Sequence, residues 1–161
     1  MGDSRDPFRA QLAHLLDWEE AHVGFDRAVA DIPAGMRGAH AQGFAHSPWQ
    51  LLEHIRLAQK DILGFSVSPT YVHELAWPDD YWPKNPAPPD AGAWDRSVAD
   101  FTADREKLKQ LAGEEHIDLL AAVPTGEAHQ TVLRGILLAA AHTAYHLGQL
   151  VAVRRVLGVW T

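Results

Sequence analysis

Two histidines four residues apart, His142 and His146, are the residues of this chain best placed to do chemistry. On a helix, residues four apart lie one above the other on the same face, about 6 Å apart. Two imidazoles in that arrangement can direct ring nitrogens at one metal ion, with metal–nitrogen distances of about 2.0–2.1 Å. A third ligand has to come from another segment. His54 is the natural candidate, because it lies beside Leu51 and Ile55 on the apolar side of its own predicted helix.

The surroundings of the histidine pair favour a metal. No acidic residue lies between Ala128 and Val151, so this segment offers no carboxylate as a hydrogen-bond partner. A buried polar group without a partner costs about 1–3 kcal/mol, and the residues around the pair are nearly all apolar. The histidines therefore need either a metal or hydrogen bonds from elsewhere in the core, and the residues alone leave both alternatives open.

Three neutral imidazoles suit zinc, nickel, iron(II), copper or cobalt, and they do not suit calcium or magnesium. We expect one divalent transition metal per chain, either zinc, nickel or iron. Because the protein supplies only three ligands, at least one coordination position stays open for water or a substrate, which is the layout of a catalytic site. Two further histidines are candidates for the site: His22, on the same predicted face as Leu15 and Val29, and His129, in the loop before the last helix.

Other kinds of active site are poorly supported. The absence of cysteine excludes disulfides, thiolate metal sites and a cysteine nucleophile. A di-iron bundle needs two Glu-x-x-His motifs and two further carboxylates, whereas this chain has the single instance Glu19-Glu20-Ala21-His22. The His-Glu-x-x-His, Gly-x-Ser-x-Gly and phosphate-loop motifs are absent as well.

Length and composition indicate one soluble domain spanning residues 1–161. The net charge of -7, without a basic stripe, argues against binding to nucleic acid or to an anionic membrane. The most apolar stretch, Val132 to Val153, is interrupted by Arg134, His142 and His146, so we expect a buried helix and not a membrane span. Because the chain lacks cysteine and begins without an apolar signal core, we expect a cytoplasmic location.

Helical periodicity and helix-breaking residues predict an all-α fold of four helices. The clearest start signal is Ser47-Pro48-Trp49-Gln50, which places a hydroxyl at the N-cap, proline at the first helical position and glutamine three residues after the cap. We expect the four helices at Pro7 to Asp31, Pro48 to about Ser66, Asp90 to Ala112 and Thr131 to Leu157, with a short further turn of helix between Glu114 and Val123.

The predicted connection between helices two and three, Val67 to Pro89, is unusual. It contains six of the ten prolines, interleaved with Tyr71, Trp77, Tyr81 and Trp82. Flexible linkers are poor in aromatic residues, so we expect an ordered loop that packs on the helices. Its length of about 20 residues far exceeds the 2–8 typical of adjacent antiparallel helices. The chain can therefore cross the full length of a four-helix bundle in one long crossover.

Three stretches together resemble the DinB-like (DinB/YfiT) superfamily of metal-binding four-helix bundles: His46 to His54, Trp77 to Pro83 and Ala141 to Leu150. The resemblance covers almost the whole chain in consistent order. It places the family's three-histidine site on His54, His142 and His146, and it implies an up-down-down-up bundle that is often a homodimer. The family pattern often has an aspartate just before the first histidine of the pair, where this chain has Ala141.

Characterised members of this family include transferases and isomerases that use low-molecular-weight thiols such as bacillithiol or mycothiol. The resemblance therefore implies a metal-dependent enzyme that acts on a small molecule, with a thiol S-transferase favoured. The alternative is a non-catalytic, metal-stabilised dimeric bundle that binds a ligand or a partner. The alanine at position 141 favours this alternative, because the chain lacks a carboxylate that could orient a ligand.

Overall fold

The computed structural model describes residues 6–160. It contains five α-helices, two short 3-10 turns at Ala34–Met36 and Asp79–Tyr81, and no β-strand within those residues. The prediction of an all-α fold is confirmed. The helices are α1 (Pro7–Leu15), α2 (Phe25–Val29), α3 (Pro48–Val67), α4 (Ala93–Gly113) and α5 (Val132–Val156).

The starts of α3 and α5 follow the local signals in the sequence. The Ser47 hydroxyl accepts a hydrogen bond from the Gln50 backbone N–H at 3.2 Å, and the Gln50 side chain accepts one from the Ser47 N–H at 3.1 Å. This is the predicted capping box. At α5 the Thr131 hydroxyl accepts from the Arg134 N–H at 3.2 Å. Local hydrogen bonds thus set the starts of the two helices that carry the histidines.

The single first helix predicted over Pro7 to Asp31 is wrong, because the structure divides this segment into α1 and α2. The break ends at Gly24, which is buried and has extended backbone angles (φ −78°, ψ 172°). A Cβ atom at this position would collide with the side chain of Glu19. The break lets Leu16 and Phe25 both turn into the core, so tertiary packing overrides a continuous helical pattern.

The short helix predicted between Glu114 and Val123 is also absent. Instead, backbone groups of this segment form hydrogen bonds with residues just before and at the start of α5. The Val123 N–H donates to the Gln130 carbonyl, and the Leu119 carbonyl accepts from the Leu133 N–H, both at 2.8 Å. Leu119 and Val123 are buried by this arrangement. The segment therefore packs against the start of α5 and stabilises it.

Helix α3 lies at the centre of the fold and packs against both α4 and α5. Its buried side includes Leu51, Leu52 and Ile55. Where α3 meets α5, Gly135 faces Ser66, and a Cβ atom at position 135 would collide with the Ser66 hydroxyl. This glycine therefore permits the close approach of the two helices that carry the candidate metal ligands.

Helix α5 is long and apolar enough to span a membrane by composition alone, with a mean hydropathy of 1.4 over its most apolar window. In this fold 44% of that window is buried within the protein. Core helices that are mostly buried pass the same test of length and composition, and α5 packs against α3 in this fold.

Candidate metal centre

The three predicted ligands come together between α3 and α5. The Nε2 atom of His54 lies 3.1 Å from Nε2 of His146 and 3.1 Å from Nε2 of His142. One ring nitrogen from each histidine falls within 4.8 Å of those of the other two. His54 is 1% exposed and His146 is 7% exposed, so the cluster lies inside the protein. Within residues 6–160 it is the one group of potential ligands close enough to share an ion.

Hydrogen bonds at the outer nitrogens fix the tautomers of two of these histidines. The Tyr81 carbonyl oxygen lies 3.1 Å from Nδ1 of His54, and the Gln149 amide oxygen lies 2.9 Å from Nδ1 of His146. A carbonyl oxygen only accepts, so each neutral imidazole carries its proton on Nδ1 and a lone pair on Nε2. The two lone pairs then face each other at 3.1 Å. Such a contact is repulsive unless a cation lies between them, so the donor set fits a metal ion.

The protonation state of the cluster also suits a metal. Burial lowers the pKa of His54 to about 4, although the hydrogen bond to the Tyr81 carbonyl acts in the opposite direction. Burial, together with the other two histidines, lowers the pKa of His142 to about 4. The pKa of His146 is lowered as well, mainly by burial. All three imidazoles are therefore neutral at pH 7, which is the form that binds metals.

Trp82 holds His54 from the side of the long loop. The centroid of its ring lies 3.7 Å from that of His54, and the two planes are inclined by 4°. The ring of His46 also stacks on Trp82, at 3.7 Å and 10°. Two imidazoles this close and this parallel cannot share one face of an indole, so Trp82 lies between them. His46 therefore packs on the far face of Trp82 from His54, one residue before the α3 cap.

Sequence reasoning missed three residues that orient the ligands: Tyr81, Trp82 and Gln149. The loop was expected to pack through its aromatic residues, and Tyr81 is indeed buried, but its contribution to the site is a backbone carbonyl. No side-chain pattern could reveal that contact. Gln149 had a usable signal, because a residue three positions after a helical ligand lies on the same face.

The two additional candidate histidines do not join the cluster. His22 is exposed, and its Nδ1 atom lies 3.0 Å from the carbonyl of Val23. It lines a separate cavity together with Ala141 and Thr143. His129 is exposed beside Glu127, with 3.5 Å between Nδ1 and the carboxylate. The three-histidine set therefore has no fourth histidine within the described residues.

Position 141 faces away from the cluster. Ala141 is exposed and lines the same separate cavity as His22 and Trp18. A carboxylate at this position would point into that cavity and not toward the open side of His142. The lack of an aspartate at position 141 therefore does not bear directly on catalysis at the three histidines. Ala141 is then a weaker reason to favour a non-catalytic bundle.

A second cavity, of about 340 Å³, opens beside His142. Its volume is within the range of small-ligand pockets. Burial and the nearby Asp61 carboxylate raise the pKa of the Tyr81 hydroxyl at one wall. The rest of the lining is mostly apolar and comes from α3, α5 and the long loop, and it includes Ile62, Phe65, Trp77, Arg134 and Leu138. A substrate in this cavity would lie directly against one edge of the histidine cluster.

Comparison with known proteins agrees with this arrangement. The family model of the DinB superfamily matches residues 3–150, which is most of the chain and includes all three histidines. No curated protein and no solved structure shows significant similarity to the chain.

Proposed function

The chain belongs to the DinB superfamily, and we propose that it binds one divalent transition metal through His54, His142 and His146 and catalyses the reaction of a small thiol with an electrophile. The observation that carries the proposal is the pair of Nε2 lone pairs aimed at one point, next to a cavity that reaches His142. Zinc, nickel and iron are among the metals that three imidazoles suit.

The protein contributes neutral ligands and a fixed geometry. A divalent metal supplies Lewis acidity, which lowers the pKa of a thiol that binds in an open position. No carboxylate joins the three histidines within residues 6–160, so the protein does not neutralise the charge of the ion. The charge of a bound ion would therefore favour an anionic ligand such as a deprotonated thiol. The Tyr81 carbonyl and the Gln149 amide oxygen keep the ligand rings oriented for this purpose.

The proposal also covers the helix topology, the oligomeric state and the cellular location of the protein. We infer an up-down-down-up four-helix bundle in which α1 and α2 together take the place of the first helix, with the long crossover between α3 and α4. We also infer a cytoplasmic homodimer that acts on a small molecule and not on nucleic acid or membranes. The exposed apolar side chains of Leu137 and Tyr145 on α5 are a suitable surface for the second subunit.

The reaction can be tested with purified, metal-loaded protein. We expect loss of free thiol when a panel of small thiols is mixed with epoxides, activated alkenes and alkyl halides, and we expect a chelator to stop it. His142→Ala should abolish turnover, whereas His22→Ala, an exposed histidine outside the cluster, should leave it unchanged. Turnover that survives both the chelator and His142→Ala would refute the proposed chemistry.

One observation favours a second candidate, a metal-stabilised binding protein without turnover. The buried ligands come from two different helices, α3 and α5, so a shared metal would cross-link them and contribute to folding stability. This candidate predicts a large rise in the melting temperature on metal binding, with no consumption of any thiol in the panel.

A further inference from the structure

The cavity beside His142 has apolar walls and two charged residues of opposite sign, Asp61 and Arg134. The carboxylate of Asp61 already has a partner within the protein. It accepts a hydrogen bond from the hydroxyl of Tyr71, and its charge helps to raise the pKa of the nearby Tyr81 hydroxyl. Tyr71 belongs to the long loop, so its hydrogen bond to Asp61 anchors that loop to α3.

Arg134 is in the opposite situation. Its backbone N–H donates to Thr131, but its guanidinium forms no hydrogen bond or ion pair with any residue between 6 and 160. It lines the cavity from the first turn of α5 and is exposed to solvent. The protein as a whole carries a net charge of -7, which disfavours anions in general. The guanidinium of Arg134 is therefore available to an anionic group that enters this cavity.

Helix geometry places this cation at a defined distance from the metal ligands. Arg134, Leu138 and His142 follow one another at intervals of four on α5 and line the same cavity. With a rise of about 1.5 Å per residue, the Cα atoms of Arg134 and His142 are about 12 Å apart. The side chain of Leu138 lies between them. The cavity thus has a metal ligand at one end, an apolar middle and a cation at the other end.

We infer that this cavity receives the electrophilic substrate, and that this substrate has an apolar body ending in a carboxylate, which Arg134 binds. That the bound molecule is the electrophile of the reaction rests on the proposed function. The preference for an apolar molecule with a carboxylate depends only on the residues that line the cavity. The guanidinium fork matches the two oxygens of a carboxylate. The apolar body would pack against Ile62, Phe65 and Leu138.

The test compares hexanoate with hexan-1-ol, which have the same apolar chain and differ in charge. Binding is followed by NMR, through the indole N–H of Trp77 at the cavity wall. The two ligands are compared in the metal-free protein, because zinc would itself attract a carboxylate, and the thiol ligand described below is compared with hexan-1-ol in the zinc-loaded protein. We expect hexanoate to bind about fivefold to tenfold more tightly, as suits a charge-assisted bond at a partly solvated site. Arg134→Gln should remove the difference. Arg155→Gln, which changes an exposed arginine on the same helix, should retain it.

Equal affinities for hexanoate and hexan-1-ol in the parent protein would overturn the inference. So would a preference for hexanoate that survives Arg134→Gln. The proposed function is tested separately by 6-mercaptohexan-1-ol, which should bind more tightly than hexan-1-ol because of its thiol. If the thiol adds nothing, the metal–thiol reaction fails, while the comparison of hexanoate with hexan-1-ol still decides the role of Arg134.

Discussion

Replacement of Gln149 by leucine should weaken metal binding without disturbing the fold. The amide oxygen of Gln149 accepts a hydrogen bond from Nδ1 of His146 at 2.9 Å, and this bond holds the Nε2 lone pair of His146 toward the cluster. Glutamine and leucine have similar helix propensities, so α5 should keep its structure. Leucine, however, offers the imidazole no acceptor, and His146 becomes free to rotate or to change its tautomer.

The size of the effect follows from the kind of bond that is lost. A neutral hydrogen bond contributes about 0.5–1.5 kcal/mol, and it becomes stronger when a cation on the opposite ring nitrogen polarises the N–H. Removal of such a partner of a metal ligand typically lowers metal affinity about 10- to 100-fold. This corresponds to about 1.4–2.8 kcal/mol. We therefore expect a decrease of this size for Gln149→Leu.

The assay is a competition titration in which a chelator of known affinity removes zinc from the protein. Gln110→Leu is the matched control, because Gln110 is an exposed helical glutamine on α4. Gln149→Glu keeps an acceptor oxygen and should bind zinc at least as tightly as the parent. If Gln149→Leu binds zinc as tightly as Gln110→Leu, then Gln149 does not orient a ligand and our reading of the His146 tautomer is wrong.

Two further predictions concern stability. Because burial lowers the pKa of His54 and His142 in the folded protein from 6.5 to about 4, the unfolded chain takes up protons first. The free energy of unfolding of the metal-free protein should therefore be highest above pH 6.5 and fall toward pH 4, as measured by urea titration; a constant value would contradict this. Gly135→Ala should destabilise the protein by about 1–3 kcal/mol, because the added Cβ meets the Ser66 hydroxyl. Ser66→Ala in the same chain should restore most of the melting temperature, and failure of this rescue would refute the proposed collision.

Local sequence signals predicted the parts of the fold that local interactions determine. The capping box at Ser47 lies where the sequence indicated, and α5 begins directly after Thr131, close to the predicted start. The four-residue spacing of His142 and His146 required only a helix, and the helix is there. The position of His54 on the apolar face of α3 was enough to identify it as the third histidine. In the structure it lies next to His142 and His146.

The features that the sequence did not reveal depend on contacts between distant segments. The break before Gly24 depends on how Leu16 and Phe25 reach the core. The segment before α5 stays non-helical because its backbone bonds to residues at the start of that helix. The backbone carbonyl of Tyr81 orients His54 from 27 positions away, and a backbone group leaves no trace in a residue pattern.

The central claim is that His54, His142 and His146 hold one metal ion. Elemental analysis of the purified, untagged protein tests it most directly, together with the variants His54→Ala and His142→Ala/His146→Ala. We predict about one zinc, nickel or iron per chain in the parent protein, and loss of the metal in both variants. A parent protein that contains no metal, even after incubation with zinc or nickel and removal of the excess, would contradict the claim.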